Sequence, residues 1–138
     1  MIELTDEINQ AIATAFADGV PLILGSADAD GQPNITVRGT VQVYGDDALA
    51  FWARHRDGAT VRGFAANPKV AVLYRNPAKR QGWTFFGRAR VTDNPQDLEL
   101  IYTRSPEREQ QADPDRQGTG VIIELDRVLE RGQVIMER

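Results

Sequence analysis

The sequence predicts a mainly β protein: about six antiparallel strands, closed into a small barrel, with short helices inserted between them. Three observations carry this prediction. Apolar and polar residues alternate over 35–43 and again over 83–91, the period of a pleated strand. Turn chemistry recurs between the candidate strands, at Asp30-Gly31, at Gly45-Asp46-Asp47 and across the polar loop 76–82. Helical spacing is confined to short stretches. Strands of this number and length, joined by hairpins, tend to close on themselves.

Residues 5–18 read as a helix that packs on the barrel within an N-terminal segment, 1–19. Thr5 can cap it, Asp6 and Glu7 suit its first turn, and Ile8, Ala11, Ile12, Ala15 and Phe16 share one face. Gly19 is a natural stop. The run 21–27 reads as a buried strand and 28–33 as a hairpin turn. In the next strand Ile35, Val37, Gly39, Val41 and Val43 point one way, and Thr36, Arg38, Thr40 and Gln42 the other. The polar side is either solvent-facing or covered by a ligand or partner subunit, and we place it at a twofold interface. Residues 48–53 are apolar on both faces. A basic loop and a short helix, about 58–66, follow. Strands are expected at 69–75, 83–93 and 120–129. Asn94-Pro95 is an N-cap followed by Pro at the first helical position, Ser105-Pro106 restarts a second short helix, and Asp113-Pro114 ends it.

At 138 residues the chain reads as one domain, 1–138. It has no cysteine, which removes disulfide and thiolate chemistry, and one histidine, which disfavours a Ser-His-Asp triad or a His-based metal site. The net charge of −4 argues against general nucleic-acid binding. No run is apolar enough to span a bilayer, and Met1-Ile2-Glu3 opens directly into an acidic amphipathic stretch. No membrane association and a cytoplasmic location are therefore expected. Gly-x-Gly-x-x-Gly, Walker and Gly-x-Ser-x-Gly motifs are absent.

The most informative stretch is 51–68, "FWARHRDGATVRGFAANP". Asp57 or Gly58 stands where a helix N-cap belongs, so first-turn N–H groups point into a loop that carries Arg54, Arg56 and Arg62, with Thr60 offering a hydroxyl. A helix start with arginines beside it can hold a phosphate. A solvated loop explains the same residues, and by itself the stretch favours that account. His55 is either a general base or a surface residue. Trp52 and Trp83 either stack on a planar ring or fill the core.

The order of features extends the reading. "DGQPNITVRGTVQVYGDDALAFWARHRDG", "VRGFAANPKVAVLYRN" and "FFGRARVTD" together resemble the flavin-binding split-barrel proteins related to pyridoxamine 5′-phosphate oxidase, over roughly residues 15–128. The resemblance rests on the Asp30-Gly31-x-Pro33 hairpin, an aromatic strand ending in a basic loop, Asn67-Pro68 launching a strand, and Gly87-Arg88-Ala89.

It implies a six-stranded split β-barrel of the FMN-binding type, forming a homodimer with FMN in two interface clefts. It implies a flavoprotein acting as an oxidoreductase on a small-molecule redox substrate. The alternative is a protein that holds a flavin, deazaflavin or haem without turnover. The flavin ring would lie along Arg38, Gly39 and Thr40, with Trp52 and Ala53 near it. The phosphate would sit at the 54–62 loop, which reverses the balance in favour of an anion site. The family often has Arg-x-Lys or Ser-Arg-Lys ahead of this helix. Here Thr60 stands at the lysine position, so Arg54, Arg56 or Arg62 would substitute. The final stretch lacks the Trp- and Arg-containing segment of the oxidase itself, so a substrate other than pyridoxamine phosphate is expected.

Overall fold

The computed structural model describes residues 1–138. The elements in chain order are α1 (Asp6–Thr14), β1 (Leu22–Ala27), β2 (Pro33–Arg38), β3 (Gln42–Val43), β4 (Ala48–Ala53), α2 (Ala59–Ala66), β5 (Lys69–Asn76), β6 (Gln81–Thr92), α3 (Pro95–Thr103), α4 (Glu107–Gln111), β7 (Thr119–Glu130) and β8 (Gln133–Glu137). A turn of 3₁₀ helix, Pro77–Lys79, joins β5 to β6. All strand pairs are antiparallel, in the order β2-β1-β5-β6-β7-β4-β3, with β8 added beside β7. No helix is long and apolar enough to cross a membrane.

The two ends of that strand order, β2 and β3, are parts of one extended run. The sheet therefore curls round until its edges meet across Gly39–Val41, which makes a split barrel. At the seam the Thr40 hydroxyl donates to the Trp52 carbonyl at 3.0 Å and accepts from the Trp52 N–H at 2.8 Å. One side chain thus replaces the two ladder bonds that β4 lacks where β2 gives way to β3. Buried main-chain groups need such partners.

Six strands were expected and eight are present. The predicted second strand is interrupted at Gly39–Val41, giving β2 and β3. The C-terminal stretch forms β8 through a two-residue turn in which Arg131 and Gly132 both have positive φ, 51° and 77°. That pair of conformations matches the strand twist in a tight hairpin.

Local chemistry explains the other boundaries. Thr5 caps α1 by accepting from the Ile8 N–H, and the Asn94 side chain caps α3 by accepting from Gln96 and Asp97. The regular part of α1 ends at Thr14, short of the expected 18. The next turn closes with Gly19 N–H to Phe16 and Val20 N–H to Ala15, Gly19 taking φ 74°. Asp28 organises the β1–β2 turn, its carboxylate accepting from Asp30 and Gln32 N–H at 2.9 Å. At Gly87 the β6–β7 register shifts, and a Cβ there would lie 2.4 Å from the Glu124 carbonyl, so only glycine fits.

Apolar side chains segregate into two cores. The barrel interior holds Leu24, Leu49, Phe51, Val72, Tyr74, Phe85, Val121, Ile123 and Leu125, with Ile8, Ala11 and Ile12 of α1 and Val61 and Phe64 of α2 joining it. A smaller core between β4 and α3 holds Ala48, Ala50, Trp52, Ile101, Tyr102 and Ile122. Residues of β4 alternate between the two, which is why the whole strand is buried and apolar on both faces.

Thr40→Val should therefore cost roughly 1–3 kcal/mol in urea unfolding, because it strands two buried main-chain groups. Thr40→Ser keeps the hydroxyl and should avoid most of that loss. Equal stability of wild type and Thr40→Val would show that the seam does not depend on this hydroxyl.

Candidate functional site

The even-numbered residues of β2 (Asn34, Thr36 and Arg38) share one face, and the structure brings that face against the basic loop and the start of α2. The Asn34 amide donates to the Thr60 hydroxyl at 3.1 Å. Arg38 donates from Nε to the Thr36 hydroxyl at 3.0 Å and lies over the Phe51 ring, 5.2 Å from its centroid. Burial lowers the Arg38 pKa below its usual value, and the nearby Arg54 charge lowers it further. Neither Arg38 nor Arg54 lies within 4.0 Å of a carboxylate, whereas Arg88, Arg90, Arg116 and Arg138 all do. The Arg54 charge acts on Arg38, and its nearest carboxylate influence is the more distant Asp113, so the two like charges favour an anionic or electron-rich group beside them.

The other end of this face is the N-terminus of α2. Gly58 is its N-cap, with no side chain to bond the first turn and no acidic residue in that turn. Thr5 and Asn94 cap α1 and α3, both of which also carry acidic first turns. The Ala59, Thr60 and Val61 N–H groups have no acceptor within the chain, so they and the Thr60 hydroxyl present donors where the helix dipole is positive. From Asn34 to Arg38 is four residues of strand, or about 13 Å at the usual rise. The result is a strip with a cationic pair at one end and a cluster of neutral donors at the other.

Not every expected site residue lies on this strip. Thr40 is buried, and both hydrogen-bonding functions of its hydroxyl go to Trp52. Gly39 faces the opposite way, where a Cβ would lie 2.7 Å from a Glu109 carboxylate oxygen and 3.1 Å from the Phe16 ring. Ala53 is sealed in the barrel core. Trp52 sits edge-on to Tyr102 at 5.1 Å in the smaller core and donates its indole N–H to Asp113 at 2.9 Å. Arg56 donates to the Gly118 carbonyl at 2.9 Å. Arg62 is exposed on the far flank of α2. His55 is exposed, and its carbonyl accepts from Gly58 N–H at 2.9 Å to close the turn before α2.

Two residues of the arrangement were not singled out in the sequence. Asn34 follows Pro33 at the start of the strand, and the period-2 face that contains Thr36 and Arg38 points to it. Asp113 gave no such signal beyond marking the end of a helix. Its carboxylate accepts from the Trp52 indole and from the Gln117 and Gly118 N–H groups, each at 2.9 Å. It thereby fixes the 113–118 loop, whose Gly118 carbonyl holds Arg56. Gly118 itself has no room for a side chain: a Cβ would lie 2.3 Å from the Ala53 carbonyl. Burial pushes the Asp113 carboxyl up, but the three hydrogen bonds and the Arg54 charge outweigh it and hold its pKa below the usual value.

The fold is a split barrel, and the strip is its candidate functional face. The sequence profile of the pyridoxamine 5′-phosphate oxidase family matches residues 8–128, and the chain belongs to that family. Solved structures agree on the fold. HupZ of Group A Streptococcus is 19% identical, with a TM-score of 0.74 over 95% of this chain and 96% of that one. An FMN-binding protein from Syntrophomonas wolfei is 13% identical, with a TM-score of 0.70 over 91% and 86%. An F420 reductase is 18% identical, with a TM-score of 0.62 over 80% and 89%. No curated protein matches the sequence at a significant level.

The Asp113 network predicts a pH signature. A carboxyl whose folded pKa is depressed contributes stability above its unfolded value, about 4, and loses it as pH falls through the folded value. Asp113→Asn should be less stable than wild type near neutrality, with the gap narrowing below about pH 4 in urea midpoints. A gap that stays constant with pH would remove the charge from the account.

Proposed function

We propose that this protein is an FMN-binding oxidoreductase that acts as a homodimer, with the flavin phosphate at the start of α2 and its ring toward the Arg38 end of the β2 face. The observation that carries the reading is the strip itself: unpaired Arg38 and Arg54 at one end, uncapped α2 N–H groups with Thr60 and Asn34 at the other. Family membership and the S. wolfei neighbour support the choice of FMN. The donor set suits such a ligand, since a phosphate accepts from several N–H and O–H groups at once.

When bound, FMN supplies hydride and electron transfer. The chain's own groups bind and orient it. The Ala59, Thr60 and Val61 N–H groups and the Thr60 hydroxyl donate to the phosphate, and the Asn34 amide holds Thr60 in place. The Arg38 and Arg54 guanidiniums bring positive charge to the ring end, which favours added electron density there. No side chain on the strip is placed as an acid or base, so the chain's own contribution there would be binding, orientation and charge.

The opposite face of β2 supports the dimer reading. Ile35 and Val37 are 75% and 64% exposed. Val37 opens a cross-strand row through Ile23, Leu73, Thr84, Leu129 and Val134, which is largely apolar and runs over the outside of the barrel. A second copy covers such a face by twofold pairing. This moves the expected interface from Thr36, Arg38, Thr40 and Gln42 to the odd-numbered side and leaves the even side for the flavin.

Two experiments test the reading. Thr60→Val should weaken FMN about tenfold or more, the range for a hydrogen bond to a charged group, and leave riboflavin unchanged. Arg38→Ala and Arg54→Ala should weaken both ligands. Equal losses of FMN and riboflavin in Thr60→Val, or a deazaflavin or haem absorption band in protein purified from its host, would overturn the FMN assignment. Light scattering should give a dimer at micromolar concentration and a monomer for Val37→Asp. A monomeric wild type would remove the interface.

A further inference from the structure

The flavin reading leaves two arginines of the basic stretch unused, and both line a different cavity. Between α2, the last residues of β6 and the start of α3 lies an open groove of about 720 Å³. That is within the usual range for small-molecule sites, about 300–1,000 Å³. Its floor is apolar: Val61 and Phe64 of α2, Ala89 and Val91 of β6, and Leu98 of α3. Val91, 45% exposed, adds open apolar surface to that floor.

The charges on the rim are not balanced. Arg56 and Arg62 have no carboxylate within 4.0 Å, while Arg90 is paired with Glu124 at 3.4 Å. The one acidic group lining the groove is Asp93, immediately before the N-cap of α3. The groove is therefore cationic along α2, apolar in the middle and anionic at its α3 end.

We propose that this groove binds an amphipathic monocarboxylate of the medium-chain fatty acid type. The carboxylate lies against Arg62 and Arg56, and the chain covers Val91, Phe64 and Leu98. Asp93 makes the preference one-sided, because a second carboxylate at the far end of the chain would meet it unpaired. The site is separate from the β2 strip: Thr60 faces Asn34 on one flank of α2, and Arg62 and Ala65 face the groove on the other. It does not depend on which cofactor the protein holds.

The test is an amide NMR titration of the full chain with octanoate, octanedioate and octylamine. Octanoate should give saturable shifts at residues 61–65, 89–93 and 98. Octanedioate should bind about tenfold more weakly, and so should octylamine, which exchanges two arginine partners for the single exposed Asp93. Arg62→Glu changes an exposed side chain and should weaken octanoate about tenfold. Val91→Asp should do the same by a different route, through the apolar floor. The proposal is overturned if octanoate gives no saturable shifts at these residues. It is equally overturned if octylamine or octanedioate binds as well as octanoate, or if both variants bind like wild type.

Discussion

Closure of the sheet on itself is the constraint from which the rest of this structure follows. One extended run, 33–43, must serve both edges of the barrel, pairing with β1 at its start and with β4 at its end. It can do so only by leaving the ladder between the two, and Thr40 makes that break tolerable by bonding both main-chain groups of Trp52. The consequence is geometric. β2 is left at an edge with one face toward the α2 loop and the other bare, so the polar strip and the apolar outer face arise from the same six residues.

The strip rests on buried supports. Phe51 lies under Arg38 in the barrel core, and Phe64 and Val61 anchor α2 to the same core. Asp113 ties β4 to the 113–118 loop from the other side, so the Arg54–Arg56 segment leaves β4 at a fixed place. Conformational freedom that the site does not have in the free protein need not be lost on binding. The guanidinium pair and the uncapped helix start are the reverse of what stability alone favours, since a like-charge pair and unbonded N–H groups both oppose folding. Local rules broken within a fold that otherwise obeys them are what a functional or strained site looks like, and they underlie the proposed flavin site.

Much of this was legible in the sequence. The family order of motifs, the capped start of α3 at Asn94-Pro95 and the doubly apolar β4 each depend on neighbours in the chain, and each is where the residues place it. What was not legible depends on residues far apart. The break at Gly39–Val41 is invisible because 35–43 alternates without interruption, and only the partner Trp52 shows that Thr40 has left the ladder. Trp52 reads equally well as a ring neighbour or a core residue, and its partner Asp113 is 61 positions away. The arginines of 54–62 look like one cluster in the sequence, but their surroundings differ: the Arg54 charge acts on Arg38 and Asp113, Arg56 bonds the Gly118 carbonyl, and Arg62 lines the groove beyond α2.

The central claim is that a flavin phosphate docks on the uncapped start of α2. The most direct measurement compares the backbone amide spectrum of the protein saturated with FMN to that saturated with riboflavin. The two ligands share a ring and differ by one phosphate. The account predicts that Ala59, Thr60 and Val61 amides differ between the two spectra, shifted downfield with FMN as charge-assisted hydrogen bonds form. The region of Arg38 should look the same in both. Identical spectra at Ala59–Val61, or phosphate-dependent shifts only elsewhere in the chain, would contradict it.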